Sequence, residues 1–493
     1  MNYSSVFIFN LIPDDNSYLC AKWKTVGRKK KLPVIENLEI IDIGAEGMSI
    51  AKVDNMVVFI PGMIPGDIVD VQITRKKRKF MTGHPLRIVK ESDQRTTPFC
   101  KHFGICGGCK WQNLPYERQL FYKQKQVVDS LERIGKIAIP EIRPIIGSEK
   151  QKYYRNKLEY TFSETRWLSD SEIKSKEIII DRRALGFHIP GKFDRVLDIE
   201  ECFLQDDLSN RIRNSIREFT HNMGLEYYNQ VTNSGFLRNL IIRSTQLNEW
   251  MVIVVFAYDD KPVINSVMQF LQEKFPEITA LNYVVNSKSN DTIQDQEIIL
   301  YSGRDFIYEA IGNLKFKIGA KSFFQTNSTQ AGELYRLALE FASLTGNEIV
   351  YDLYTGTGTI ACYIAHQCKE VIGLEYLETA VEDAKINATI NGITNMSFFA
   401  GDIKDILNDS FFEIHGKPDV IITDPPRAGM HPDVIQSILR AMPSRIVYVS
   451  CNPATQARDI SLMDEKYKVV AIQPVDMFPH THHVENVICL EMK

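Results

Sequence analysis

Hydrophobic and polar residues alternate with a period of two in three short runs near the amino-terminal end, at positions 38–43, 56–60 and 67–71. Glycine, proline and asparagine separate these runs, as turn residues do between strands. Short strands at such even spacing are typical of a small closed β-barrel. We therefore predict a β-barrel domain over residues 33–95, preceded by an extension at 1–32.

A different pattern begins at about residue 321, where short apolar runs alternate with amphipathic segments. Strands are predicted at 349–353, 371–375, 396–400, 420–423, 445–450 and 469–472, and the clearest helix at 377–391. This order predicts a doubly wound, Rossmann-like α/β sheet over residues 321–493. Ligands of such sheets bind beyond the carboxyl ends of the strands, so we expect the chemistry at that edge.

The segment between these two regions, residues 96–320, contains both strand-like and helical patterns of apolar residues. Strand-like runs at 240–243 and 251–255 stand beside a helical pattern that is clearest at 114–134. The mixture predicts an α+β central domain. The whole chain is thus predicted to be an α/β protein of three domains, which fits 493 residues at roughly 150 residues per domain.

Composition narrows the class of protein. Hydrophobic residues make up 44% of the chain and charged residues 24%, and no apolar run approaches the roughly 18 residues of a membrane helix. The apolar stretch at 6–12 lacks the preceding basic residues of a signal peptide, so we expect a cytoplasmic protein. Nine cysteines, an odd number, argue against a disulfide framework.

The formal net charge of −4 does not by itself indicate nucleic acid, but two dense cationic runs stand at 28–31 and 75–79. Local positive potential attracts a phosphate backbone whatever the overall charge. The second run falls on a predicted hairpin of the barrel, a combination that suits RNA binding. A solvated loop is the alternative interpretation of either run.

A glycine loop follows the first strand of the α/β region. Gly356 and Gly358 allow a tight turn, and Glu375 stands nineteen residues after Gly356, at the end of the next strand. A carboxylate there accepts hydrogen bonds from the ribose of an adenosine cofactor. The third glycine of dinucleotide-binding loops is absent, which favours a methyl donor over nicotinamide. Asp402, after the third strand, suits either an adenine contact or a helix cap.

Two further groups follow strands on the same predicted edge, and a third, at the start of the last strand-like run, is expected to face the same pocket. Asp424 begins a stiff Asp-Pro-Pro-Arg loop that ends at Arg427, Cys451 follows the fifth strand, and Glu485 begins the last strand-like run. The alternatives are a surface ion pair, a buried thiol and a structural salt bridge. Together with a methyl donor, however, they fit covalent catalysis, in which Cys451 attacks carbon 6 of a uracil and Glu485 removes the carbon 5 proton.

A cysteine-rich segment precedes the predicted helix at 114–134. Cys100, Cys106 and Cys109 have the spacing C-x5-C-x2-C, and Cys202 lies far downstream. Thiolates bind iron–sulfur clusters and zinc alike, so spacing alone leaves both open, with His102 as an additional zinc ligand.

In these motifs the chain resembles the RNA uracil-C5 methyltransferases, in particular the bacterial 23S ribosomal RNA members with a TRAM barrel and an iron–sulfur cluster. The resemblance covers about 33–493 and rests on motifs in the family's order: Phe-Phe-Gln-Thr-Asn at 323–327, the glycine loop, Asp-Pro-Pro-Arg at 424–427, Ser-Cys-Asn-Pro at 450–453 and His-Val-Glu at 483–485. It implies a TRAM/OB-like barrel and a class I methyltransferase domain.

The resemblance also implies roles for individual residues. Cys451 is the expected nucleophile and Glu485 the base, while Phe323 and Arg427 place the target uracil. A [4Fe–4S] cluster, rather than zinc, is expected on Cys100, Cys106, Cys109 and Cys202. S-adenosylmethionine is expected to contact Gln325, Tyr354, Thr359, Glu375, Asp402 and Asp424.

One departure from the family pattern concerns the cofactor loop. Thr355 stands where the family often has cysteine, and Thr359 where it often has asparagine. Both substitutions keep a small polar group, and they make Thr359 the least secure of the cofactor contacts.

The expected partner is RNA, with ribosomal RNA first and transfer RNA second. Two other functions stay open at the level of sequence. A catalytically silent RNA-binding assembly factor is opposed by the intact Cys451 and Glu485. A nicotinamide oxidoreductase with an iron–sulfur centre is opposed by the missing third glycine.

Overall fold

The computed structural model describes residues 32–493. Residues 1–31, which include the basic run at 28–31 and nearly all of the extension predicted at 1–32, lie outside the described residues. Within residues 32–493, none of the helices has both the length and the apolar composition that crossing a membrane demands.

A six-stranded barrel forms the amino-terminal part of the described chain. Its strands are β1 (Val34–Glu39), β2 (Asp42–Ile43), β3 (Ser49–Val53), β4 (Met56–Ile60), β5 (Ile68–Lys76) and β6 (Phe80–Lys90). They pair in the order β1-β5-β6-β4-β3-β2 around an apolar core.

The two edge strands of this sheet, β1 and β2, are separated by only Ile40 and Ile41. The Ile40 N–H donates to the Asp67 carbonyl, and the Ile41 N–H donates to the Ile50 carbonyl, each at 2.8 Å. These bonds close the sheet on itself, which confirms the predicted barrel. The single strand predicted at 38–43 is wrong, because the chain crosses there from one sheet edge to the other.

The helix predicted at 114–134 is α1 (Tyr116–Ser130), and a π-helical turn, Leu131–Gly135, continues it. Its amino-terminal part shares an apolar cluster with the barrel, made by Ile43, Ile64, Trp111, Leu114 and Tyr122. Its other end packs into the core of the carboxyl-terminal sheet. The helix therefore links the barrel to the sheet that carries the glycine loop.

The central region is built on a seven-stranded sheet. In chain order its elements are β7 (Lys157–Ser163), α2 (Asp170–Ser175), β8 (Ala184–Ile189), β9 (Lys192–Asp198), α3 (Asp207–Asn222), β10 (Leu237–Ser244), β11 (Trp250–Phe256), α4 (Lys261–Lys274), β12 (Ile278–Val285) and β13 (Ile299–Gly303). The strand order is β13-β12-β11-β10-β7-β8-β9. The predicted runs at 240–243 and 251–255 lie in β10 and β11, which are buried along their length because the sheet is covered on both sides.

The carboxyl-terminal region begins with a hairpin and a helix and continues into a second seven-stranded sheet. In chain order its elements are β14 (Phe306–Ile311), β15 (Leu314–Gly319), α5 (Ser328–Ala342), β16 (Ile349–Leu353), α6 (Thr359–Ile364), β17 (Glu370–Glu375), α7 (Glu378–Ile390), β18 (Met396–Ala400), α8 (Ile403–Ile406), α9 (Asp409–His415), β19 (Val420–Thr423), α10 (Pro432–Ala441), β20 (Arg445–Ser450), α11 (Pro453–Ser461), β21 (Tyr467–Val475) and β22 (Glu485–Met492). All six predicted strands are present, and β16, β18, β19 and β20 have the predicted bounds.

The strand order of this sheet is β18-β17-β16-β19-β20-β22-β21, with β16 to β20 parallel and β22 antiparallel to β20. Apolar clusters cover both faces, which confirms the doubly wound α/β fold. The order reverses between β16 and β19, and such a switch point opens a crevice beyond the strands' carboxyl ends. The antiparallel β22 brings its amino end, Glu485, to the same edge.

Candidate active site

The glycine loop turns tightly between β16 and α6. Tyr354, Gly356 and Gly358 have positive φ angles of 63°, 56° and 75°, a conformation that non-glycine residues adopt only at a cost in energy. A Cβ at Gly358 would lie 3.0 Å from that of Ala384, so the loop packs closely on α7. The Gly358 N–H donates to the Thr355 carbonyl at 2.9 Å, which closes the turn.

Glu375 ends β17 beside this loop. Its carboxylate accepts the Gly356 N–H at 3.1 Å and the Leu377 N–H at 3.0 Å. Two backbone donors therefore fix the carboxylate at the edge of the crevice. This is the placement that the spacing between Gly356 and Glu375 predicts for a group that binds a ribose.

Two more carboxyl groups stand at the carboxyl ends of β16 and β19. Asp352 accepts the Thr355 hydroxyl at 2.6 Å, and burial raises its pKa to about 7. Burial, with the nearby charge of Asp352, raises the pKa of Asp424 to about 7 as well. Because each charge opposes the other, a cationic ligand near the pair favours ionisation of both. The crevice is electrostatically suited to a positively charged ligand.

The segment at 323–327 lies across the glycine loop. The Thr357 hydroxyl donates to the Phe323 carbonyl at 3.4 Å, and the Asn156 amide donates to the Gln325 carbonyl at 2.8 Å. The ring of Phe323 is 70% exposed. An aromatic ring held by its backbone and left open to solvent is available to stack on a planar ligand.

Thr359 stands at the first turn of α6. Its hydroxyl oxygen accepts a hydrogen bond from the Tyr335 hydroxyl at 2.9 Å. Tyr335 lies on α5, and its position in the apolar repeat of that helix predicts only a core residue. Sequence reasoning missed this contact, because nothing in the local pattern relates α5 to α6.

Asp402 has a structural role in the described chain. Its carboxylate accepts the Lys404 N–H at 3.3 Å as the cap of α8, and it pairs with the Lys404 ammonium at 2.9 Å. The Lys404 partner lowers the pKa of Asp402. The helix cap that the sequence suggested is present, and the adenine contact stays a prediction.

Cys451 and Glu485 stand opposite each other at the end of the sheet. In the antiparallel pairing of β20 with β22, Ser450 is the partner of Asn486. The next residue along one strand is Cys451, and the preceding residue along the other is Glu485. The register thus brings the two side chains predicted to react to neighbouring positions on one edge.

Burial is the main cause of the pKa shifts of Glu485 and Cys451. Glu485 is 5% exposed, and burial, with the Asp424 charge, raises its pKa to about 8. Burial raises the pKa of the Cys451 thiol to about 11, and the charges of Glu485 and Asp424 add to the shift. The Arg427 guanidinium favours the charged form of both groups. Cys451, Glu485, Asp424 and Arg427 therefore form one interacting cluster.

The four cysteines of the predicted cluster line one cavity of about 480 Å³, together with Arg427 and His483. Burial raises the pKa of the Cys106 thiol to about 11 and that of the Cys109 thiol to about 12. Over residues 32–493, however, no three His, Cys, Asp or Glu side chains are arranged to hold a metal ion. Metal binding by these cysteines stays a prediction.

Two family models match the chain. Residues 268–493 match the model described as tRNA (Uracil-5-)-methyltransferase, and residues 35–86 match the TRAM domain. The second match falls on the six-stranded barrel. The first includes the glycine loop and the cluster around Cys451.

Similar proteins extend over nearly the whole chain. An uncharacterized RNA methyltransferase of Bacteroides thetaiotaomicron is 56% identical over 454 residues, which cover 92% of this chain and 100% of that protein. Another, from Chlorobaculum tepidum, is 41% identical and covers 94% and 97%. The crystal structure of Pyrococcus abyssi tRNA (uracil-54, C5)-methyltransferase in complex with S-adenosyl-L-homocysteine is 27% identical, with a TM-score of 0.70 and coverage of 92% and 99%.

Proposed function

Since the chain belongs to the family of S-adenosylmethionine-dependent RNA uracil-C5 methyltransferases, we propose that it methylates carbon 5 of a uridine through a covalent bond to Cys451. The observation that carries the proposal is the pairing of Ser450 with Asn486, which makes Cys451 and Glu485 neighbours. A nucleophile and a base on one edge are what a two-step covalent mechanism requires.

The crevice beyond β16 and β19 has the features that S-adenosylmethionine requires. A Cβ at Gly356 would meet no other atom within 4 Å, so the loop leaves room for a ligand. Glu375 presents a fixed carboxylate for ribose hydroxyls. The carboxyl groups of Asp352 and Asp424 favour a cationic ligand. When bound, the donor supplies an electrophilic methyl group. We propose that the residues around it are Gln325, Tyr354, Thr359, Glu375, Asp402 and Asp424.

Cys451 starts the reaction on the RNA. Its thiolate attacks carbon 6 of the uracil, a carbon–sulfur bond forms, and the ring becomes an enolate with a nucleophilic carbon 5. Carbon 5 then takes the methyl group as the donor's sulfur–methyl bond breaks. Phe323 and Arg427 are proposed to hold the ring, by stacking and by hydrogen bonding to a carbonyl oxygen that gains negative charge.

Glu485 completes the reaction. After methyl transfer, carbon 5 carries both a methyl group and a proton. Glu485 removes this proton, the carbon 5–carbon 6 double bond re-forms, and the bond between carbon 6 and the sulfur of Cys451 breaks. The raised pKa of Glu485, about 8, suits a group that must hold this proton near neutral pH.

A [4Fe–4S] cluster is proposed on Cys100, Cys106, Cys109 and Cys202. All four line one cavity, and an all-thiol set is the donor chemistry of such clusters. Thiolates bind zinc as well, and the cluster is proposed over zinc on the resemblance to family members that carry an iron–sulfur cluster. No step of methyl transfer uses an electron, so the proposed role of the cluster is structural.

Iron analysis of anaerobically purified protein tests this assignment. We expect roughly four irons and four sulfides per chain, as in Cys₄ clusters generally. Cys106→Ser is expected to lose them, while Cys451→Ser, the matched control, keeps them. Iron-free protein, or stoichiometric zinc, would contradict the cluster.

The proposed substrate is 23S ribosomal RNA, and the proposed location of the enzyme is the cytoplasm, with that RNA. Ribosomal RNA is favoured by the resemblance to family members that combine a TRAM barrel with four cluster cysteines. Transfer RNA is the second candidate, favoured by the likeness to the Pyrococcus abyssi tRNA (uracil-54, C5)-methyltransferase over 99% of its length. A catalytically silent assembly factor is less favoured, because such a protein does not require Cys451 and Glu485 at neighbouring positions.

Two experiments test the function. Mass mapping of 5-methyluridine in ribosomal and transfer RNA from a deletion strain identifies the substrate by the position that loses its methyl group. Purified Cys451→Ala is expected to lose methyl transfer while it still binds S-adenosylmethionine, because the cofactor loop lies on other strands. Substantial methylation by this variant would overturn the mechanism.

A further inference from the structure

Asp459 is a fully buried carboxylate on α11, eight residues after Cys451. Its Oδ2 atom accepts the Met430 N–H at 2.8 Å and the Tyr448 hydroxyl at 2.7 Å. Its Oδ1 atom accepts Nε and Nη2 of Arg458 at 2.8 and 2.6 Å. Four donors from three different parts of the chain therefore meet at one carboxylate.

These contacts join the two segments that carry the reacting groups. Tyr448 lies on β20, three residues before Cys451. Met430 ends the loop at 424–430, which begins with Asp424 and contains Arg427. The Asp459 carboxylate is the point at which the loop is bonded to the strand of the nucleophile.

Other residues in and next to α11 hold the same loop. The Asn452 amide donates to the Arg427 carbonyl at 3.0 Å, and the Thr455 hydroxyl donates to it at 3.2 Å. Arg458 Nη2 donates to the Ala428 carbonyl at 2.9 Å. The backbone that carries the Arg427 side chain is thereby fixed by one helix and its cap.

Gly429 allows the close approach between loop and helix. It has a φ of +79°, and a Cβ there would lie 2.5 Å from Asp459 Oδ2 and 2.6 Å from Arg458 Nη2. Pro425 and Pro426 restrict the other end of the loop. Arg427 lies in the exposed middle of this segment, between Pro426 and Ala428, and it lines the cavity beside the site.

A buried carboxylate is costly unless its lone pairs have donors, and removing it leaves those donors unpaired. In the observed arrangement of the loop, both carboxylate oxygens of Asp459 have donors. Met430 N–H, Tyr448 hydroxyl and Arg458 guanidinium must be at their observed distances together. Because hydrogen bonds are directional, these contacts define the orientation of the loop relative to α11 and β20.

We propose that Asp459 is a positioning residue for methyl transfer, which fixes the loop at 424–430 against β20 so that the Arg427 guanidinium stays beside Cys451. The inference rests on the proposed roles of Arg427 and Cys451. Asp459 itself touches neither uracil nor methyl donor. It acts through Arg427, whose placement governs how the uracil ring is presented to the thiolate.

The rate of covalent adduct formation tests this proposal. RNA containing 5-fluorouridine forms the adduct but blocks the final elimination, because fluorine takes the place of the proton that the base removes. We expect Asp459→Asn to slow adduct formation roughly 10- to 100-fold, the cost of a small misplacement of a positioning group. Its affinity for S-adenosylmethionine should change less than about twofold, since the glycine loop is untouched. Asp464→Asn, at a half-exposed aspartate, is the matched control.

A double-mutant cycle separates positioning from general damage. If Asp459 acts through Arg427, Asp459→Asn combined with Arg427→Ala is no slower than Arg427→Ala alone. The proposal would be overturned if the two substitutions slowed adduct formation independently, so that their effects on the rate multiplied. It would also be overturned if Asp459→Asn formed the adduct at the wild-type rate while Arg427→Ala was slow. If Asp459→Asn does not fold, Tyr448→Phe, which removes one donor and keeps the carboxylate, enters the same cycle with the same expectation.

The cycle also distinguishes the proposed function from the positioning role. A wild-type rate for Arg427→Ala would overturn both the role of Arg427 and the positioning role of Asp459. Adduct formation by Cys451→Ala would instead refute the proposed mechanism as a whole.

Discussion

The Lys123 ammonium and the Asp476 carboxylate form an ion pair at 2.5 Å in which neither side chain is exposed. Lys123 lies on α1, and Asp476 directly follows β21 in the segment that leads to Glu485. The ammonium also donates to the Phe478 carbonyl at 3.0 Å, and the Tyr116 hydroxyl donates to the second carboxylate oxygen at 2.8 Å. A helix next to the barrel thus anchors the segment that carries the base.

Removal of one partner of this pair is expected to destabilise the protein. Lys123→Met leaves the Asp476 carboxylate buried without its countercharge, which costs roughly 3–5 kcal/mol in comparable pairs. Chemical denaturation monitored by circular dichroism measures the change. Lys125→Met is the control on the same helix, since Lys125 pairs with Asp129 and Asp42 while 28% exposed, and partly exposed pairs contribute about 1 kcal/mol or less. Equal losses for the two variants would refute the anchoring role of Lys123.

The second prediction concerns the cofactor. Glu375→Gln keeps an acceptor for the Gly356 N–H but removes the negative charge from the proposed ribose contact. Because hydrogen bonds to a charged group exceed neutral ones by about 1 kcal/mol or more, we expect roughly a tenfold weaker affinity for S-adenosylmethionine. Isothermal titration measures it. Glu378→Gln, an exposed residue three positions on, should bind as wild type does, and unchanged binding by both variants would argue against the ribose contact.

The third prediction concerns the basic hairpin between β5 and β6, where residues 75–79 are all exposed. Arg78→Ala with Lys79→Ala is expected to weaken RNA binding and to flatten its dependence on salt. Removing one cation that neutralises a phosphate reduces the slope of log affinity against log salt by roughly 0.7–0.9. Lys52→Ala, an exposed cation on β3 of the same barrel, is the control. An unchanged slope would indicate that Arg78 and Lys79 do not contact RNA phosphates.

The fourth prediction concerns pH. Glu485 and Cys451 are proposed to act in their deprotonated forms, and burial raises their pKa values to about 8 and about 11. A raised pKa keeps each group protonated, and therefore inactive, at lower pH. We expect kcat/KM for RNA to rise continuously between about pH 6 and pH 9. A plateau already reached at about pH 6.5 would contradict the deprotonated roles.

The sequence predicts the carboxyl-terminal sheet well, because its strands are buried on both faces and read as separate apolar runs. Four strands have the predicted bounds, and the edge that carries Glu375, Asp424 and Cys451 follows from the parallel strand order. Glu485 reaches that edge because β22 is antiparallel to β20. For the amino-terminal domain, the sequence predicts the type of fold, a β-barrel. The break at Ile40 and Ile41 is missed, because apolar alternation continues while the chain changes partner strands.

The residues that hold the site in place could not be predicted in the same way. Asp459 reads as an ordinary polar position on a short helix, and Lys123 as a solvated residue on an amphipathic one. Their roles depend on partners that are distant in sequence, 353 residues away for Lys123 and Asp476. Asp402 presents the opposite problem. Its role as the cap of α8 already explains why the residue is polar, so the sequence does not indicate whether it also binds a ligand.

Mass spectrometry of Glu485→Gln after incubation with RNA and S-adenosylmethionine tests whether Cys451 bonds to the uridine and Glu485 releases it. We expect this variant to accumulate a methylated covalent adduct in which the peptide containing Cys451 carries the nucleotide. Glu465→Gln, at an exposed glutamate, should accumulate none. Normal turnover by Glu485→Gln without adduct, or a nucleotide attached to any peptide that lacks Cys451, would refute the proposed roles of these two residues.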